Sequence, residues 1–316
     1  MNVDKQELRL PGPGGRSVPV LTVSSGRPGP IAVVTANLHG DEATGVAVVH
    51  ALLARLPSTL ERGRVVLYPS LNPAGLAQGS RGLPGEEQDP NRVFPGDPSG
   101  KTVSRHAYAI WTDLMLRRPD LLVDLHTDSD GAVPYALSDR VVRGAAALED
   151  RCFALAEASG LFALREYPVD EFLRYHLEQS LAGAMANTAG VPAVTLEVGP
   201  RRWISGDAVQ IALDAALGVL SAVGLTRCPA PVRAERLPGR WRRATAPRSR
   251  GAGVLVPVVR PGDQVASGGP IAELRRLDGE LIERLVAPED CVVLALPQRA
   301  WTTPAMVVGT LAVLEG

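Results

Sequence analysis

Residues 31–38 (IAVVTANL) form a short apolar run rich in β-branched side chains, cut off at His39-Gly40-Asp41-Glu42. A run of this kind predicts a strand covered on both faces, as in the centre of an α/β sheet. Residues 65–71 make a second such run. Between the two, residues 45–56 (GVAVVHALLARL) repeat apolar side chains at helical spacing and should stop before Pro57. Further strands are expected at 121–125 and 193–198, and helices at 144–159, 181–188 and 207–222.

Beyond Leu225 the pattern changes. Residues 228–250 bring Pro and Arg in quantity and lose periodicity, which marks a crossing between an expected larger domain, 1–227, and a smaller one, 228–316. From residue 251 onward, short β-like runs alternate with Pro/Gly turns, as in an all-β module. Its phrase VVRPGDQVASGGPIAEL resembles half of a lipoyl or biotinyl-type barrel. No lysine stands between flanking methionines to carry a cofactor, so a structural β-domain is expected.

Lys and Arg (33) balance Asp and Glu (34), so no global field draws the chain to nucleic acid or to an anionic membrane. The charged N-terminus lacks the apolar stretch of a secretory signal, and no apolar run approaches the ~20 residues of a membrane span. A cytoplasmic location is the expectation. Cys152, Cys228 and Cys291 are widely spaced with no CxxC pair, and read as inert thiols.

The chemistry concentrates where the strands end. His39 and Glu42 flank a turn through Gly40, just past the first strand, where open α/β sheets bind ligands. Val123-Asp124-Leu125-His126-Thr127 ends another strand in a histidine. Two imidazoles and one carboxylate supply the three protein ligands of a catalytic zinc and leave a position for water. His126 could instead be a histidine satisfied by a neighbouring carboxylate. Glu197 lies in an otherwise apolar strand (VTLEVG), where an ionised group is costly unless paired or used. It reads as a general base facing a cavity, or else as a salt-bridged strand-end glutamate. The Gly/Pro-rich stretch between the motifs contains Arg81 and then Asp89-Pro90-Asn91-Arg92. Arg92 can grip a carboxylate with two prongs, Asn91 can add a donor, and Arg81 is a candidate for stabilising an oxyanion.

The ordered set HGDE, NP, Arg, DPNRVFPG, DLHT and LEVG resembles the succinylglutamate desuccinylase/aspartoacylase family of the zinc carboxypeptidase clan, over roughly residues 31–200. The resemblance implies a carboxypeptidase-like mixed sheet flanked by helices, with a smaller all-β C-terminal domain. It implies one Zn2+ held by His39, Glu42 and His126, Arg81 polarising the scissile carbonyl, Asn91 and Arg92 on a substrate carboxylate, and Glu197 as base and acid. The expected activity is hydrolysis of an amide bond in a small N-acylated amino acid or related N-acyl amine. A carboxypeptidase-like peptidase and a non-catalytic binding protein are the rivals. The expected partner is a small carboxylate-bearing molecule, with homo-oligomerisation open. Trp301, Tyr167, Tyr175, Arg165, Arg174 and His176 are further candidates for narrowing the pocket.

Overall fold

The computed structural model describes residues 2–11, 17–228 and 237–315. Of the expected linker at 228–250, residues 229–236 lie outside the described residues.

The strands of the first part are β1 (Asn2–Arg9), β2 (Ser17–Ser24), β3 (Ile31–Ala36), β4 (Arg64–Tyr68), β5 (Leu121–His126), β6 (Tyr135–Ser138), β7 (Phe162–Arg165) and β8 (Ala193–Glu197). The second part supplies β9 (Trp241–Thr245), β10 (Gly253–Pro257), β11 (Gln264–Val265), β12 (Pro270–Arg275), β13 (Leu281–Val286), β14 (Cys291–Ala295), β15 (Trp301–Thr302) and β16 (Thr310–Leu314). Twelve of them form one mixed sheet in the order β1-β2-β4-β3-β5-β8-β6-β7-β9-β16-β14-β11, and the other four an antiparallel sheet, β13-β12-β10-β15.

The helices are α1 (Thr44–Thr59), α2 (Pro73–Gln78), α3 (Thr102–Arg117), α4 (Ala146–Ala158), α5 (Val169–Arg174), α6 (Leu181–Asn187) and α7 (Gly206–Ala222). They explain why the central strands read as continuous apolar runs. Ala32, Val34 and Ala36 of β3 pack with Val48, Leu52 and Leu56 of α1 and Ala216, Val219 and Leu220 of α7. Val33, one residue out of phase, packs instead with Ala107, Ile110 and Leu114 of α3 and Met185 of α6. Each face of the sheet has its own helical cover, so both phases of the two-residue repeat must be apolar.

Two boundaries lie three residues from the sequence expectation. Helix α1 continues through Pro57 to Thr59. Pro57 falls in the last turn, where its missing N–H costs the helix a single bond, and the Ser58 and Thr59 hydroxyls donate to the Arg55 carbonyl. Strand β4 ends at Tyr68 rather than 71, and Leu71 N–H reaches back to the Ala36 carbonyl from the following turn.

From β9 on, strand pairing is antiparallel throughout, around a core of Leu255, Ile271, Leu274, Val293 and Leu311. The large sheet runs from the α/β portion into this all-β portion at the parallel pair Arg165↔Arg242 between β7 and β9, beside a shared core of Tyr135, Leu164, Trp241 and Leu294. Strands β3, β5 and β8 are adjacent and parallel, so their carboxyl ends converge, with His126 directly opposite Glu197. All described helices are too short or too polar to cross a membrane.

Candidate metal centre and active site

The turn carrying His39 and Glu42 is built on Asn37. This fully buried residue takes a left-handed backbone (φ 56°), and its Nδ2 donates to the carbonyls of His39 (3.0 Å), Gly40 (3.0 Å) and Glu42 (3.2 Å). Its Oδ1 accepts from Ser70 Oγ at 2.6 Å. Asparagine tolerates φ > 0 and can satisfy several carbonyls of one tight turn. Gly40 is required for a different reason: a Cβ there would lie 2.2 Å from the Gly75 carbonyl carbon. Asn37→Ala leaves those carbonyls without their donor and is expected to cost on the order of 2–3 kcal/mol of stability. Urea denaturation measures it, and bound metal should fall in parallel.

His39, Glu42 and His126 are all buried, and one ligand atom from each lies within 4.8 Å of the others. Glu42 sits between the rings, with Oε1 2.9 Å from His39 Nδ1 and Oε2 2.8 Å from His126 Nδ1. The far nitrogens are held too. His39 Nε2 is 3.0 Å from Asp89 Oδ1, and His126 Nε2 is 2.9 Å from Asp124 Oδ2. An outer carboxylate on each imidazole orients the ring and raises its basicity, the arrangement usual around metal-bound histidines. The donor set therefore fits a divalent ion held by both Nδ1 atoms and Glu42. Asp124 makes good the alternative of a histidine satisfied by a neighbouring carboxylate, yet at Nε2, leaving Nδ1 turned to the centre.

The electrostatics follow from burial and pairing. Burial opposes ionisation of Glu42, but His39 and His126 outweigh it and hold the carboxyl well below its ordinary value. Burial likewise opposes charge on His126, and Asp124 and Glu42 more than compensate, raising it well above the usual imidazole range.

Glu197 behaves differently. Burial pushes its carboxyl up to about 8; His126 pulls it down, while Glu42 and Asp128 add to the rise. Its Oε2 is enclosed with no hydrogen-bond partner, and Glu197 has no ion pair among the described residues, so it is not a salt-bridged strand-end glutamate. Its register opposite His126 puts an unengaged carboxyl beside the ligand cluster.

All seven site residues chosen from the sequence, His39, Glu42, Arg81, Asn91, Arg92, His126 and Glu197, line one cavity of about 100 Å³. Arg81 bridges Glu42 Oε1 (3.2 Å) and Asp89 Oδ2 (3.0 Å). Asn91 Oδ1 accepts from Leu181 N–H at 2.7 Å, which ties the loop to α6; its Nδ2 has no hydrogen bond among the described residues. Arg92 donates to the Asn91 carbonyl at 2.6 Å and has no ion pair among the described residues.

The candidates from later in the chain do not line this cavity. Arg165 is committed to Glu149 and Glu315, Arg174 pairs with Glu171, and Tyr167 and Tyr175 pack edge to face. His176 starts a short 3-10 turn, and Trp301 is 50% exposed on β15. What the second part does contribute is Arg243 on β9, which pairs with Glu166 at 3.0 Å over the Tyr167 ring. Asp128, Asp139 and Arg201 also line the cavity and were not singled out as site residues from sequence. Arg201 reaches Glu42 at 3.4 Å and Asp41 at 3.6 Å. Asp124 had a local signal, since two residues before His126 on a strand is the same face.

The chain resembles known proteins in fold and in sequence. A metallo-carboxypeptidase from Burkholderia cenocepacia shares the fold at a TM-score of 0.55 and 17% identity, covering 70% of this chain and 64% of its own. The product-bound ectoine utilization protein EutE (DoeB) from Ruegeria pomeroyi superposes at a TM-score of 0.82 with 22% identity, over 98% of this chain and 95% of its own. The N-alpha-acetyl-L-2,4-diaminobutyric acid deacetylase of Halomonas elongata is 33% identical over 127 residues, which is 40% of this chain and only 36% of that enzyme. The family model of the succinylglutamate desuccinylase/aspartoacylase catalytic domain matches residues 28–223, which span β3 to α7 and every residue of the His39, Glu42, His126 and Glu197 cluster, and the chain belongs to that family.

Proposed function

We propose that the protein is a zinc-dependent amidohydrolase that removes the acyl group from a small N-acylated amino acid. The observation that carries this is the unengaged, enclosed Oε2 of Glu197 beside a buried ligand set of two histidines and a glutamate. Two imidazoles and one glutamate are the donor set of catalytic zinc sites, and one ion per chain is expected. Such an ion supplies a Lewis acid that acidifies water and polarises a carbonyl.

The chain's own groups do the rest. Glu197 takes the proton of the attacking water on its free carboxylate oxygen and later delivers it to the leaving nitrogen, a transfer suited to a carboxyl whose pKa lies near the working pH. Arg81, whose guanidinium stands beside Glu42, stabilises the negative charge developing on the carbonyl oxygen. Arg92, with no ion pair of its own, and the Nδ2 of Asn91 hold the substrate carboxylate.

A small cavity walled in part by Arg243 from β9 favours a compact metabolite over a peptide chain. The Halomonas elongata relative, a deacetylase of an N-acetyl amino acid, supports the same class. The test is a panel of N-acetyl and N-succinyl amino acids and C-terminal dipeptides assayed for released amine, alongside zinc content by atomic emission. Release of amine from the small N-acyl compounds is expected. Cleavage of the dipeptides alone would replace this function with a carboxypeptidase activity, and no turnover with no bound metal would leave a binding protein.

A further inference from the structure

The chain contains a second cavity, of about 210 Å³, that shares no lining residue with the catalytic one. It lies between α2 and the start of α3, with Leu10 and Pro11, just past β1, on a third side. Buried Leu10 and Leu83 and the rings of Pro11, Pro73 and Pro84 give it apolar walls, and no Asp, Glu, Lys or Arg lines it. An ionic ligand would lose its hydration there and meet no opposite charge, so the cavity disfavours ions. An apolar enclosure with a few fixed polar groups suits a small neutral molecule.

Two polar groups inside are open to a ligand. His106 is 3% exposed, and its Nε2 lies 2.8 Å from the Leu71 carbonyl, which can only accept, so Nε2 carries the proton. Burial holds this imidazole below its usual range, so it is neutral and Nδ1 keeps a lone pair. Nδ1 has no hydrogen bond among the described residues, nor has the Thr102 hydroxyl one turn earlier on α3. Asn72, also in the wall, is fully engaged. Its Oδ1 accepts from Gly75 N–H at 2.8 Å, and its Nδ2 donates to the Gly82 carbonyl at 3.2 Å. The buried imidazole therefore calls for a donor brought by the ligand.

The same wall is the mounting of Arg81. Leu83 and Pro84 follow that residue closely, Gly82 is held by Asn72, and the Arg81 carbonyl accepts from Gly40 N–H at 3.1 Å, in the turn that carries His39 and Glu42. We propose that this cavity is a second small-molecule site, for an uncharged, largely apolar compound that donates one N–H or O–H to His106 Nδ1, and that its occupancy braces the segment carrying Arg81. The site stands independently of the deacylase function.

Indole and 1-methylindole, the same ring with and without its N–H, are the probes, titrated by calorimetry into the whole chain. Indole is expected to bind at least about tenfold more tightly. Thr102→Trp, which fills the cavity from the start of α3, should weaken indole by more than about tenfold, and His106→Leu should erase the preference between the two compounds. Should His106→Leu fail to fold, the wild-type preference and Thr102→Trp decide. Equal binding of the two compounds by the wild type, no binding of either at millimolar concentration, or undiminished binding of indole by Thr102→Trp would overturn the site. Hydrogen exchange of residues 79–84 reads the brace: slowing by at least about threefold at saturating indole is expected, and unchanged exchange overturns the connection to Arg81. None of these readouts needs turnover, so failure of the deacylase function and failure of this site are separate results.

Discussion

Glu197→Gln is expected to lower kcat by on the order of a thousandfold while leaving metal content and fold intact. Glutamine keeps the shape and some of the polarity of the side chain but can neither accept the water proton nor return it. The substitution also removes an ionisable group whose carboxyl is pushed up to about 8 by burial. Its sign in stability follows from linkage. Between the ordinary carboxylate value and about 8 the folded metal-free protein holds a proton that the unfolded chain releases, so this group makes stability fall as pH rises through that window. Metal-free Glu197→Gln should lack that decline and become progressively more stable than the metal-free wild type toward pH 8. Denaturation midpoints at several pH values read this directly. Equal turnover by the variant and the wild type would end the proposed role of Glu197, whatever the stability data showed.

The second large effect concerns the ligands. Dialysis against a chelator is expected to abolish turnover, and stoichiometric Zn2+ to restore it. His126→Ala removes a ring whose Nδ1 faces Glu42 and should prevent restoration at micromolar Zn2+. Asp124→Asn is the graded companion. It keeps His126 but weakens the carboxylate that orients it through Nε2 at 2.9 Å, and is expected to reduce metal affinity by about 10–100-fold. Competition with a chromophoric chelator measures all three. Undiminished activity in the exhaustively chelated wild type, with metal confirmed absent, would exclude the zinc mechanism. His126→Ala is also expected to lower stability, because it takes away one of the two imidazoles that hold the Glu42 carboxylate down.

The central strands were legible because burial on two faces leaves short runs that are largely apolar in both phases: β3 covers 31–36 of the expected 31–38, and β5 covers 121–126. Helix α3 was passed over, although Val103, His106, Ala107, Ile110 and Leu114 mark a buried stripe at helical spacing. The intervening Arg105, Tyr108, Trp111 and Asp113 blur that stripe. Residue type alone does not bring a late cation to the pocket either, since Arg165 and Arg174 are spent on interface and surface ion pairs.

What the sequence by itself determined is the local part of the protein: which segments are doubly covered strands, and that three of them end in His39-Gly40-Asp41-Glu42, His126 and Glu197. Ligands at strand ends belong to elements whose identity short-range patterns encode, so the metal cluster could be listed before it could be seen. Only the tertiary structure decided what surrounds that cluster. Asp139, Glu166 and Arg243 stand in no common motif, and each taken alone is an ordinary charge that water would solvate. Their meaning comes from the lateral pairing of β6, β7 and β9, which takes them out of water together, matches Arg243 to Glu166, and leaves Asp139 facing the cavity without a partner.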